Sequence, residues 1–326
     1  MINSELMEAT LPTPAASTEI AARLVDSVAG VLQGKRSAVE LAVTCILGRG
    51  HLLLEDVPGV GKTSLARALA CSLGLTFRRI QFTSDLMPAD LLGGSVYDAQ
   101  TASFSFRKGP VFTHVLLADE INRTSPKTQS ALLEAMGERR VSLDGVTHTL
   151  EDPFFVVATQ NPAEFFGTYP LPESQLDRFL MRVRLGYPPP EVERGLIARR
   201  RAGDPLDQLR AVVNRAELLA AQQAVDRVRV TEELVQYLHA LILATRNTPM
   251  LDMGASTRAA LALDRCVRAF AIVQGRSYAT PDDVKTLAVP VLAHRVRPSG
   301  SRDGVDARVD AERIVVDQLT SLSVPV

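Results

Sequence analysis

Three cysteines occur in 326 residues, and Cys45, Cys71 and Cys266 lie far apart. None has the spacing of a metal ligand set, and an odd, sparse set reads as reduced thiols, mostly small buried hydrophobes. The five histidines do not cluster, so each reads as a surface or core residue rather than a ligand. A dominant charge is missing as well: the formal net charge is -1. Without a cationic excess, nucleic acid is not expected as an obligate partner. No stretch approaches the roughly 20 apolar residues of a membrane span. The best candidate, "LVQYLHALILA" from Leu234 to Ala244, contains Gln236 and His239 and reads as a buried helix. Residues 1–19 lack the basic flank and apolar centre of a secretion signal, and their Pro, Thr, Ser and Ala content suggests a disordered leader. A cytoplasmic protein is expected.

What is present is an ample supply of core residues, with 46% of the chain hydrophobic. The length suggests two domains, or one large domain with an appendage. The runs "HLLLED" (His51 to Asp56), "FRRIQF" (Phe77 to Phe82), "HVLLAD" (His114 to Asp119) and "FFVVAT" (Phe154 to Thr159) read as strands buried on both faces. "GKTSLARALACSLG" and "SPKTQSALLEAMGE" read as helices between them, with apolar residues three and four apart. Such alternation predicts a parallel sheet sandwiched by helices. Two segments interrupt it and read as hairpins: residues 92–112, and residues 139–153 with an Asp144-Gly145 turn. After the prolines of "GYPPPEVER" the pattern becomes helical, with capped starts at Thr231 and Thr280. The expected organisation is a leader over 1–19, an α/β core over 20–186 and an all-helical domain over 187–326.

"EDVPGVGKTSLARAL" (Glu55 to Leu69) follows a buried strand and opens a helix, the context of a phosphate-binding loop. Gly59 and Gly61 let the main chain curl so that N–H groups of Val57, Pro58–Gly61 and the helix start at Lys62, Thr63 and Ser64 surround a phosphate (Pro58 itself has no N–H). Lys62 would reach the outer phosphates, and the Thr63 hydroxyl would bind magnesium. Asp56 replaces the usual first glycine and is expected to tolerate a left-handed backbone there. The strand "HVLLAD" ends in Asp119 and Glu120: the first acid suits magnesium, and the second can polarise the attacking water. Asn161, within "FFVVATQNP", can hydrogen-bond the water or the terminal phosphate. Arg178 and Arg258 are candidates for contacting the γ-phosphate.

Taken together, "LLLEDVPGVGKTSLARALA", "LLADEINRTSPKTQSALLEAMGERRV", "VVATQNPAEFFGTYPLPESQLDRFLMR" and "GASTRAAL" resemble the signatures of the MoxR family of AAA+ ATPases, in its order, from about Ala29 to Pro298. The resemblance implies an α/β P-loop core with a smaller helical lid, ATP and Mg2+ as ligands, and a homo-oligomeric, typically hexameric ring. It implies Lys62, Thr63 and Asp119 in nucleotide and metal binding, Glu120 as catalytic base, and Asn161 as sensor 1. Arg178 resembles an arginine finger offered to a neighbouring subunit, and Arg258 resembles sensor 2. The segments 92–112 and 139–153 resemble the family's helix-2 insert and pre-sensor hairpin. Gln33, Gly34 and Lys35 sit where the family places residues near the adenine. Chaperone-like remodelling or maturation of client proteins, including metal or cofactor insertion with a separate von Willebrand factor A (VWA) domain partner, is the implied function. A DNA motor and a non-hydrolysing nucleotide-gated platform are the alternatives.

Overall fold

A computed structural model describes residues 13–100, 102–143, 145–161, 168–199, 205–300 and 305–325. Its strands, in chain order, begin with β1 (Leu52–Glu55), β2 (Phe77–Gln81), β3 (Gly93–Asp98), β4 (Ser103–Lys108) and β5 (Val115–Asp119), and continue with β6 (Arg140–Leu143), β7 (Val146–Thr149), β8 (Phe155–Gln160) and β9 (Met181–Val183). Five of them form a parallel sheet in the order β2-β5-β8-β1-β9. The reason is visible in the side-chain alternation of period two. Leu52, Leu54, Val115, Leu117 and Val157 face one apolar cluster. Leu53, Leu116, Ala118, Val156 and Ala158 face the other. Helices cover both faces, and each fully buried leucine contributes about 1.5–3 kcal/mol.

Two expectations need correction. β2 is not buried on both faces: it pairs only with β5, so Arg78, Arg79 and Gln81 lie exposed on an edge strand. The helix Pro14–Val31 begins inside the stretch read as a disordered leader. Thr13 caps it by accepting the Ala16 N–H, Pro14 suits the first turn, and Ile20, Leu24 and Val28 are buried. Residues 1–12 of that stretch lie outside the described residues. β9, only three residues long, was not anticipated.

Both interruptions are antiparallel hairpins, β3–β4 and β6–β7. Gly145 has φ +79°, as a tight hairpin turn requires. Asp144 lies outside the described residues. His148 of one hairpin stacks on Phe106 of the other, with ring centroids 4.0 Å apart. Arg139 and Arg140 each pair with a carboxylate, Asp152 and Glu138.

Beyond Gly186 the chain is mainly helical, with Arg215–Val225, Glu232–Asn247, Thr257–Val273 and Pro281–Leu292 as its principal helices. Thr231 accepts the Leu234 N–H, and Asp283 accepts the Thr280 N–H. A further helix, Val305–Thr320, was not anticipated. It docks on the sheet through charge: Arg182 of β9 pairs with Glu312 at 2.7 Å, and Arg308 reaches the buried Glu55 at the end of β1. The apolar cluster beneath Leu52 and Leu54 runs on into this half and includes Cys266, Val267 and Leu287. Among the described residues, no helix is long and apolar enough to cross a membrane.

His51 and His294 are buried in this shared interior. His51 Nδ1 accepts the Val156 N–H, and Nε2 lies 3.2 Å from the Met136 carbonyl, which fixes a neutral ring. Desolvation pushes its pKa down to about 4, and desolvation also pushes that of His294 well below the ordinary value. The folded pKa is therefore depressed, the unfolded chain binds more protons, and stability must fall as the solution is acidified. The urea midpoint should drop between pH 6.5 and pH 4, with His51 alone contributing about 1.4 kcal/mol per pH unit in that window. A midpoint independent of pH there would contradict the neutral buried ring.

Candidate active site

β1 ends at Glu55 and the chain curls before the helix Lys62–Ser72 begins. Gly59 and Gly61 carry φ of +85° and +99°, values that side chains rarely adopt. Asp56 is not among the positive-φ residues, so the expected left-handed role is corrected. Its carboxylate instead binds N–H groups, that of Val57 at 2.9 Å among them. Lys62 Nζ donates to the Asp56 carbonyl at 2.6 Å.

Asp119 ends β5 and Glu120 follows it, at the same end of the sheet. Pro58, Gly59, Gly61, Lys62, Thr63 and Ser64 line one cleft of about 370 Å³ together with Asp119, Glu120, Arg79 and Gln81. Val57 and Val60 complete the turn, Val60 being buried. Thr159 of β8 ties the acids together: its hydroxyl donates to Asp119 Oδ1 at 2.6 Å and accepts the Glu120 N–H at 2.8 Å. Glu120 stands in a left-handed conformation, φ +57°, which turns its carboxylate away from the strand line. Asn161 is buried and directly follows β8, at this same end of the sheet.

Arg79 and Gln81 were missed by sequence reasoning. Arg79 donates twice to Asp119 Oδ2, at 2.7 and 3.1 Å, and Gln81 Nε2 donates to Glu120 Oε2 at 2.8 Å. The signal that could have found them is their i, i+2 spacing, which puts both on one face of β2. The donor set suits a magnesium nucleotide. A threonine hydroxyl and a buried carboxylate are hard oxygen ligands, and glycine N–H groups at a helix start donate hydrogen bonds to phosphate.

Arg178 and Arg258 are not in that cleft. They line a second one, of about 300 Å³, with Gly50, His51, Arg139 and Arg265. Gly50 and His51 immediately precede β1, whereas the glycine turn immediately follows it. The two clefts therefore open at opposite ends of the sheet. Arg178 Nη1 donates to the Leu133 carbonyl at 2.8 Å. Arg258 opens the helix Thr257–Val273, with its side chain 61% exposed and Nε 3.9 Å from Asp177.

Comparison with known proteins bears on this arrangement. Residues 51–181 match the model of the ATPase family associated with various cellular activities (AAA), and residues 243–315 match the AAA lid domain. The chain is 45% identical to the uncharacterized protein YeaC of Bacillus subtilis, over 93% of this chain and 94% of that protein. It is 42% identical to chaperone MoxR1 of Mycobacterium tuberculosis, over 86% of this chain and 77% of the relative. A crystal structure from Cytophaga hutchinsonii, described as that of an ATPase, superposes with a TM-score of 0.85 at 35% identity and covers 99% of both chains. With its parallel sheet, glycine turn, paired acids and helical lid, this chain belongs to the MoxR family of AAA+ ATPases.

Proposed function

We propose that the protein hydrolyses ATP in sites shared between neighbouring copies, and uses the cycle to remodel or mature client proteins. The observation that carries this reading is the convergence of Gly59–Ser64 with Asp119 and Glu120 on one cleft. In this reading Lys62 leaves the Asp56 carbonyl for the outer phosphates. The Thr63 hydroxyl and the Asp119 carboxylate would hold Mg2+, which would offset phosphate charge when bound. Glu120 takes the proton of the attacking water, and Asn161 orients that water. Arg178 and Arg258, at the far end of the sheet, serve the γ-phosphate of an adjacent copy, where they would stabilise transition-state charge. A ring, typically of six, satisfies every such half-site, because a head-to-tail contact whose rotation closes leaves no end unpaired.

The client-directed role is supported by the relative described as a chaperone. A separate VWA-domain protein as partner, metal or cofactor insertion into the client, and a cytoplasmic setting complete the proposal. The domain division at Gly186 belongs to it as well, with the prolines after that residue as the joint between core and lid.

Magnesium-dependent ATP turnover by the purified chain, measured over a protein concentration series, tests the reading. Turnover per subunit should rise with assembly. Lys62→Ala should weaken nucleotide binding by about 100-fold or more, since a charge-assisted contact to phosphate is lost. Unchanged affinity in that variant would count against the glycine turn as the phosphate cradle.

A further inference from the structure

Asp56 and Lys35 take no part in the chemistry above, yet both hold Gly186, the residue at which the chain leaves the sheet for the helical domain. Gly186 has φ +62°. Its N–H donates to Asp56 Oδ2 at 2.6 Å, and the Leu185 N–H donates to the same oxygen at 2.8 Å. Its carbonyl accepts Lys35 Nζ at 2.6 Å. Both polar groups of the joint are thus engaged. The remaining bonds of the two side chains go to the glycine turn: Asp56 Oδ1 accepts the Val57 N–H at 2.9 Å, and Lys35 Nζ donates to the Val60 carbonyl at 2.6 Å.

This is a costly arrangement to keep for packing alone. Lys35 is 7% exposed, burial lowers its pKa, and the Asp56 carboxylate opposes that effect. The Asp56 charge makes the burial of Lys35 more tolerable. The preceding turn is also fitted to the joint: a Cβ on Gly34 would lie 2.8 Å from Pro189 Cδ. Lys62 Nζ rests on the carbonyl of Asp56 itself, so its departure toward a phosphate changes the bonding of the residue that grips Gly186.

We infer that Asp56 and Lys35 are positioning residues that transmit the occupancy of the glycine turn to the joint at Gly186, and so set the lid against the sheet. This rests on the nucleotide reading above, and the test separates the two. Spin labels are placed at Lys127→Cys, on the helix Pro126–Glu138, and at Thr286→Cys, on the lid helix Pro281–Leu292, both exposed positions. Cys71→Ser removes the partly exposed thiol. Labelled full-length chain, diluted into unlabelled chain, is measured by pulsed dipolar spectroscopy with and without magnesium and an unhydrolysable ATP mimic, whose affinity is titrated in parallel.

The parent should show a nucleotide-dependent shift of a few Å, on the order of other hinge closures. Asp56→Gly, which restores the ordinary glycine, should bind the mimic within about threefold of the parent, below the coupling of a linked site, and lose the shift. Lys35→Met, which leaves residues 56–64 untouched, should also lose the shift, its affinity for the mimic being read from the same titration. A shift that survives in both variants would reduce the pair to a structural staple and overturn the inference. So would a parent that binds the mimic without moving, or variants that both fail to bind it. A parent that does not bind the mimic would instead overturn the nucleotide reading itself.

Discussion

Replacing Glu120 by glutamine should cut ATP turnover by about 10²- to 10⁴-fold while the nucleotide stays bound. The amide is isosteric, and its carbonyl can still accept one hydrogen bond from Gln81 or Arg123, the two donors that hold Glu120 Oε2 at 2.8 and 3.0 Å. The left-handed backbone at this position is unaffected by a change at the end of the side chain. What is lost is basicity toward water. Single-turnover kinetics and retention of labelled ATP after gel filtration give the two readouts. Turnover within about threefold of the parent would mean that no proton moves to Glu120 in the rate-limiting step, and would favour a platform that binds ATP and scarcely hydrolyses it.

Arg178→Ala should be comparably severe, with a loss of about 10³- to 10⁵-fold in turnover and near-parental affinity for ATP. The split follows from geometry. Arg178 lines a cleft with Gly50 and His51, at the far end of β1 from the turn that holds Lys62, so in the proposed site it serves an adjacent copy and not its own chain. Mixing this variant with Glu120→Gln then rebuilds whole sites wherever an Arg178→Ala subunit, with Glu120 intact, receives Arg178 from its neighbour. In a random equal mixture of a symmetric ring, about a quarter of the junctions have that order. Recovered turnover of that size supports the shared site. No recovery at concentrations where the ring forms would refute it. Arg178 also donates to the Leu133 carbonyl, so thermal melting of the variant must be compared with the parent.

The parts of this site that sequence revealed are those confined to contiguous residues. A glycine turn needs particular residue types within a few positions, so Gly59, Gly61, Lys62 and Thr63 could be read directly. β1, β5 and β8 were visible because both of their faces are apolar. β2 is an edge strand, and its exposed Arg79 and Gln81 gain meaning only through pairing with β5, where Gln81 sits beside Asp119. That register depends on long-range assembly, not on local pattern. Asp56 looked like a substitute for glycine because only its backbone was considered; its carboxylate partners, Leu185 and Gly186, lie about 130 positions away, a separation no local motif spans. β9 is too short for periodicity to register. The helix Val305–Thr320 escaped notice because its apolar stripe, Ala311, Ile314, Val315 and Leu319, is confined to its second half, while Arg308 and Glu312 tie it to the sheet by charge.

The opposed placement of the two clefts has an arithmetic consequence. If the proposed sharing of sites holds, every molecule is a donor at one end of its sheet and a recipient at the other, and catalytic centres belong to junctions, not to chains. An unclosed arc would then contain one fewer working centre than it has members, and a lone chain none. Specific activity would in that case report circular completeness, and any agent that pries open a single junction would silence that centre without touching a ligand of its nucleotide.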